Sequence, residues 1–289
     1  MKYIRRAHPY NHNKIYHTFI FQIVFQTVLW VIAFIHIYPI VIIFLSSLKS
    51  TMELAENPGG LPKKITFEFF ILAFKSLNYF RSLFNTLFIA IISVAVLILT
   101  ASLAAYAITR RNKRFYKALY IFFMAGIIVP FQMTMLPLYK FIKFLGLMNT
   151  RAAVIFIYLA LLSPFSVFVF CGYMKNVPRQ LEESAIIDGC GVFNIFLRIV
   201  FPLLKPAIGT VAVLNVISIW NDFFMPMLFL QKNTVRTLIV QISVFFGQYF
   251  SDWSSIFASI CLIVYPMVII YIFAQNFIIG GITSGAVKG

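Results

Sequence analysis

The feature that most constrains this chain is a series of six long apolar runs, at Thr18–Leu45, Ser82–Ile108, Ala118–Leu138, Ala152–Tyr173, Ala207–Leu230 and Ile256–Phe277. Crossing the bilayer hydrocarbon takes about 20 apolar residues as a helix. Inside lipid, backbone polar groups must be satisfied within the protein, so runs of this length read as helices. The expectation is an all-α integral membrane protein with six transmembrane helices. Pro39, Pro130, Pro137, Pro164, Pro226 and Pro266 fall within or near the ends of these runs. Membrane helices tolerate proline where neighbours satisfy the freed carbonyls. Composition agrees: charged residues make up only 11% of the 289, against about 25% in soluble domains.

The net charge of +16 would point to nucleic acid in a soluble chain. Here the bases flank the apolar runs, where they orient spans in a membrane, so lipid and not nucleic acid is the expected surrounding. Lys2, Arg5, Arg6 and Lys14 precede the first run, and Arg110, Arg111, Lys113, Arg114 and Lys117 separate the second and third with no acid among them. Placing both clusters in the cytoplasm puts both chain ends there, in a multi-pass membrane protein. The outer side then receives Lys49, Lys63, Lys64 and Lys75 mixed with Glu53, Glu56 and Glu68, and also Lys140, Lys143 and Arg151, which run against the trend. The first run is too long for a signal-peptide core and no small-residue cleavage site follows, so it reads as an uncleaved span. Segment 50–79, with its ENPGGLPKK turn, reads as an ordered external loop.

No catalytic set is present: the chain has no P-loop glycine pattern, no HExxH and no Ser/His/Asp grouping compatible with the topology. Cys171, Cys190 and Cys261 lack CxxC spacing, which suggests neither a metal site nor a disulfide framework. His36 on an apolar run reads as a packed or interfacial histidine. The chain is therefore expected not to be an enzyme and to hold no metal or cofactor.

The polar exception in the second half is Pro178–Pro206, where Glu182, Glu183 and Asp188 fall within seven residues although the chain has only eight carboxylates. Pro178 suits a first helical turn, where its missing N–H costs nothing. Glu182 and Glu183 then complement the dipole of that helix, and Gly189 is placed to end it, since a left-handed cap favours Gly. A second helix is expected from Val192 towards Phe201, with Val192, Phe193, Phe196, Leu197, Ile199 and Val200 on one broad apolar face. Pro202 and Pro206 are expected to end it. The whole reads as a helix, a Gly turn and an amphipathic helix with its acids exposed. The plainer alternative is a solvated loop kept soluble by its acids.

The spacing Glu183-Ser184-Ala185, three residues, Gly189, nine residues, Ile199-Val200-Phe201-Pro202 resembles the EAA loop of ABC importer permeases. Ser184 and Phe201 replace the Ala and Leu of that pattern, both mild changes of size. The likeness extends over nearly the whole chain and narrows to carbohydrate importer permeases resembling the smaller membrane subunit of the maltose transporter. It is carried by Tyr38-Pro39, Ser46-Ser47-Leu48-Lys49, Asn85-Thr86, Ala104-Ala105-Tyr106-Ala107 with Arg110, Ile128-Val129-Pro130, Leu136-Pro137-Leu138-Tyr139, Leu145-Gly146-Leu147 with Asn149-Thr150, Trp220-Asn221-Asp222 and Gly285-Ala286-Val287-Lys288-Gly289.

What this resemblance implies is the type I ABC importer fold: residues 1–80 as N-terminus, first span and external loop, 81–277 as the transmembrane domain with a coupling loop at 178–206, and 278–289 as a cytoplasmic tail that can reach the ATPases. The implied partners are a second homologous permease, two ATPase subunits that use ATP and Mg, and an extracellular or periplasmic sugar-binding protein. The ATPase-coupling residues would be Glu182, Glu183, Ser184, Ala185, Asp188, Gly189, Ile199 and Pro202, with Glu182 or Glu183 facing basic residues of the ATPase. Candidates for the substrate pathway are Asn85, Gln132, Thr134, Asn215, Ser218, Trp220, Asn221 and Asp222. Each has a structural alternative as helix–helix glue, and for Asp222 that alternative is capping a broken helix. Permeases for non-sugar solutes share the loop. A stand-alone secondary transporter would carry paired broken-helix repeats and more intramembrane charge, and a membrane enzyme would need the catalytic cluster that is missing.

Overall fold

A computed structural model describes the backbone of residues 12–248 and 252–286. The basic cluster at Lys2, Arg5 and Arg6 and the last three residues of the expected tail lie outside the described residues. Every regular element among those described is helical: α1 (His12–Ser46), α2 (Thr51–Glu56), α3 (Glu68–Ser76), α4 (Tyr79–Arg110), α5 (Arg114–Ile128), α6 (Phe131–Phe144), α7 (Arg151–Met174), α8 (Gln180–Ile187), α9 (Val192–Ile195), α10 (Phe201–Leu203), α11 (Lys205–Asn221), α12 (Phe224–Phe229), α13 (Leu238–Gln241), α14 (Ser243–Gln248) and α15 (Trp253–Ala286). Four helices are long and apolar enough to cross a membrane alone: α4, α7, and the described apolar parts of α1 and α15. Two bent pairs bring the number to as many as six.

The bent pairs correct two expectations. The third apolar run is not one straight span, because α5 and α6 meet at 101°. Val129 is extended (φ −71°, ψ 118°) and Pro130 caps α6. Proline disfavours helical backbone in the residue before it and has no N–H to continue the ladder, so the break falls at this dipeptide. The fifth run fails differently. α11 stops at Asn221, Asp222 is extended, and the short α12 follows. The apolar face preceding α11 instead forms a helical segment, Val192–Leu203, that joins Lys205–Asn221 at 74°. Pro206 lies at the start of α11, where it cannot donate back across Leu204.

The core is built on α4 and α7, the most extensively packed pair. Buried Ala90, Ser93, Ala101, Ser102 and Ala105 on α4 allow close approach, the usual way helices associate without a hydrophobic drive between them. α5 approaches α7 closely at one point: a Cβ on Gly126 would lie 2.9 Å from Pro164 Cγ. Two apolar clusters follow the length of this pair and a third lies beside it. One joins the end of α4 to the end of α7 and to the underside of α8–α11. A second joins the start of α4 to the start of α7 and α12. The third packs α3, α13 and α14 against α15. In the segment between α1 and α4, Lys49 is fully buried and donates from Nζ to Asn57 O at 2.8 Å and Pro58 O at 3.4 Å. That ammonium sits at the C-terminus of α2, the favourable end of the helix dipole for a cation, and closes the loop expected from ENPGGLPKK.

Candidate functional site

The Pro178–Pro206 segment begins where α7 ends. Pro178 precedes the next helix and is not in its first turn: Arg179 is the N-cap and α8 opens at Gln180. Residues three and four apart share a face of a helix, so Glu182 and Ala185 turn together towards the bundle, and both are buried. Glu183, Ser184 and Asp188 are exposed. The acids therefore separate. Glu182 is 7% exposed and does not face outward as the sequence suggested. Its Oε1 lies 2.7 Å from Arg110 Nε and 2.6 Å from Arg110 Nη2. Its Oε2 accepts a hydrogen bond from the Tyr106 hydroxyl at 3.0 Å. Arg110 Nη2 also donates to Val177 O at 3.0 Å, and Arg179 Nη2 donates to Thr109 O at 3.2 Å. These bonds tie the last turn of α4 to the segment running into α8.

Gly189 ends α8 as its type and position suggested, at φ +80°. The Gly189 N–H bonds Ile186 O at 3.0 Å and the Cys190 N–H bonds Ala185 O at 2.9 Å, the pair of bonds that defines a Schellman cap. The chain turns at Cys190-Gly191 into α9. The helix then continues through a π turn at Phe196–Val200, whose following residue, Phe201, bonds Phe196 O, and through α10 to Leu203. Pro202 thus lies inside this helical segment and does not end it; Pro206 belongs to α11. The single broad apolar face is also corrected. Ile195, Phe196 and Val200 are buried, while Val192 and Phe193 are 60% and 64% exposed. Ile199 is half-buried and Pro202 exposed. Together with Ile186 and Ile187, at 59% and 86% exposed, Val192 and Phe193 make an apolar tip around the Gly turn, flanked by Glu183 and Asp188.

Of the polar residues offered for a substrate pathway, Asn85, at the other end of α4 about 37 Å away for 25 helical residues, serves the fold, as do Asn215 and Asp222. Asn85 is fully buried. Its Nδ2 donates to Thr234 O at 3.1 Å and Arg236 O at 2.9 Å, and its Oδ1 accepts from Arg151 Nε at 2.8 Å. Asp222 bonds the Phe224 and Met225 N–H groups through Oδ1 and accepts from Tyr158 Oη through Oδ2 at 2.9 Å. It caps α12, as its structural alternative required. Asn215, buried, bonds Ser166 Oγ and Val211 O. Ser218 and Asn221 are exposed, each bonded to a carbonyl of its own helix, and Gln132 is exposed near the start of α6. Trp220 is buried and borders, with Asn221 and Tyr271, a cavity of about 450 Å³ between α11 and α15. Thr134 borders a larger cavity of about 760 Å³ with Phe122, Phe131 and Ser163, between the bent α5–α6 pair and α7. The structure does not gather these candidates into one polar site. Among the described residues no group of three His, Cys, Asp or Glu could hold a metal ion.

Sequence reasoning missed the partners: Arg110 and Tyr106 for Glu182, Arg151 for Asn85, Tyr158 for Asp222. Arg110 reads in the sequence as one of the orienting bases and, with Ala104-Ala105-Tyr106-Ala107, as part of the family likeness; neither reading pairs it with Glu182.

Four helices able to cross a membrane, or up to six with each bent pair counted as one span, make this a helical membrane protein. Residues 98–283 match the binding-protein-dependent transport system inner membrane component family, and the chain belongs to that family. It is similar to the probable starch degradation products transport system permease protein AmyC of Thermoanaerobacterium thermosulfurigenes, 37% identical over 89% of this chain and 94% of that one. It is also similar to the melibiose/raffinose/stachyose import permease protein MelC of Bacillus subtilis, 35% identical over 90% and 94%. Among solved structures it shares the fold of a bacterial ABC transporter involved in the import of the acidic polysaccharide alginate, with TM-score 0.77 and 23% identity over 96% of this chain and 99% of that one.

Proposed function

We propose that this chain is the permease subunit of a type I ATP-driven importer for a sugar or oligosaccharide, and that the tip at Ile186–Phe193 docks into a groove of a separate ATPase. The observation that carries the docking reading is the exposed apolar tip held on a capped, internally braced helix. Apolar side chains standing clear of the bundle beside two exposed acids fit a groove that is apolar within and basic at its rim. Ser184, Ala185, Gly189, Ile199 and Pro202 shape that tip, and Glu183 and Asp188 supply its charge. The sugar reading is supported by the names of the relatives, AmyC, MelC and the arabinooligosaccharides transport system permease protein AraQ among them.

In this reading each bent pair is one span, six spans place both ends in the cytoplasm, and the chain forms half of a pathway whose other half is a second permease. ATP and Mg act on the two ATPase subunits, and a binding protein delivers sugar from outside. Gln132, Ser218, Trp220 and Asn221 are the pathway groups of choice, while Asn85, Asn215 and Asp222 hold its walls. The test is affinity purification of the full complex carrying Ile187→Asp with Phe193→Asp. Burying each such side chain is worth about 1.5–3 kcal/mol, so ATPase recovery is expected to fall at least about tenfold with membrane insertion retained. Recovery at the wild-type level overturns docking through the tip. Uptake of an amino acid or ion by the assembled complex, with no uptake of oligosaccharide, overturns the sugar reading.

A further inference from the structure

The structure assigns to Arg110, Tyr106 and Glu182 the role of a latch that fastens the tip to α4, so that displacement of the tip moves the membrane-crossing helix and is not lost as rotation of α8. This rests on the tip being the ATPase contact.

Covalently, α8 is attached weakly. Its N-terminal side hangs from α7 by the turn at Lys175–Pro178 and its C-terminal side runs into the Gly189 turn. A push on Ile187 or Phe193 would rock a helix held only by those ends. The latch removes that freedom. The guanidinium of Arg110 bonds Glu182 on α8 and Val177 O in the preceding turn at once. Tyr106, one turn back on α4, bonds the other carboxylate oxygen and lies with its ring centroid 5.4 Å from that of Phe196 beneath the tip. The bonds therefore converge on α8 from two positions of α4, while Ala185, Ile195 and Phe196 pack behind them in the same apolar cluster as Ala101 and Ala105.

The chemistry fits a rigid link. Arg110 is a cation in the last turn of α4 and Glu182 an anion in the first turn of α8, each at the dipole end that favours it. A planar guanidinium fixes direction through several donors, which an ammonium on a flexible stem does not. Both side chains are little exposed, at 12% and 9%, so removing one partner leaves an unpaired charge largely out of water, the costly case. Neighbouring Glu183 is exposed and free of this task. Of the two adjacent glutamates, one braces the tip and the other faces the partner.

The experiment uses the whole complex in proteoliposomes with binding protein and an oligosaccharide. It compares Arg110→Glu, Glu182→Arg, the double exchange Arg110→Glu with Glu182→Arg, and Arg110→Lys. Read-outs are ATPase subunits retained on the purified permease and sugar transported per ATP hydrolysed. The latch predicts that each single reversal keeps its ATPase subunits but transports at least about tenfold less per ATP, and that the double exchange recovers to within about threefold of wild type. A double exchange no better than the single variants overturns the latch, as do single variants at the wild-type ratio. Loss of ATPase subunits from the single reversals also overturns it, because Glu182 would then be a contact. If the reversals fail to accumulate in the membrane, Arg110→Lys decides: it keeps the charge and loses the planar fork, so the ratio falls by about threefold, and an unchanged ratio overturns the proposal. Failure of docking itself is read separately, from Ile187→Asp with Phe193→Asp keeping both ATPase and transport.

Discussion

The two ends of α4 carry polar networks of similar construction and opposite consequence. At Arg110 the network faces a projecting element: the ion pair with Glu182 and the Tyr106 hydroxyl hold α8 so that Ile187, Val192 and Phe193 stand outside the bundle. At Asn85 the network closes on itself, with Arg151 and the carbonyls of Thr234 and Arg236 gathered around one buried amide. Polar groups in lipid are expensive unless partnered, and both ends obey that rule. Only one end uses it to present an apolar surface. A buried polar residue in such a chain is therefore weak evidence for a ligand site, whereas an exposed apolar cluster braced from beneath and flanked by acids marks an interaction surface.

The sharpest way to break this contrast is at the Gly turn. Gly189→Pro places a residue fixed near φ −65° at a position held at +80° and removes the N–H that bonds Ile186 O. Uptake is expected to vanish while the complex still reaches the membrane; normal uptake would remove the turn from the coupling path. Next in size, charge reversal of Glu183 with Asp188 is expected to reduce ATPase recovery several-fold at physiological salt and more at low salt, because exposed charges are screened. Recovery independent of ionic strength would leave the tip purely apolar.

At the other end, Asn85→Ala strips partners from a guanidinium and two carbonyls at once. An unsatisfied buried group costs about 1–3 kcal/mol, so the thermal midpoint of the detergent-solubilised chain falls, with no change in apparent sugar affinity of the surviving complex. A selective change in affinity at unchanged stability would return Asn85 to the substrate pathway. The smallest effect belongs to Asp222→Asn, which keeps a capping oxygen for Phe224 and Met225. N-cap replacement is worth about 1 kcal/mol even when the cap is lost entirely. Transport within about twofold of wild type is expected, and abolished transport would contradict the capping role.

Much of this was legible in the chain. The apolar runs gave helices, and α4 and α7 fall within a few residues of the runs at Ser82–Ile108 and Ala152–Tyr173. The Gly189 turn was legible because one residue type meets one backbone requirement. The broken spans were less so. Pro130 and Pro206 bend their segments while Pro39, Pro164 and Pro266 sit inside helices, and whether a proline breaks or is absorbed depends on neighbours that can satisfy the freed carbonyl. The inward turn of Glu182 was hidden for a related reason. Adjacent residues on a helix point about 100° apart, so Glu182 and Glu183 are alike in sequence and differ in space, and nothing local names Arg110, 72 positions away, as the partner.

The most direct measurement is photo-cross-linking of the assembled complex, with a photoreactive residue placed in turn at Ile187, Phe193 and Thr109. Braced from α4 and presented outward, the tip should cross-link to the ATPase from Ile187 and Phe193 and not from Thr109, which lies behind the latch. Cross-links from Thr109 with none from Ile187 or Phe193 would contradict the account.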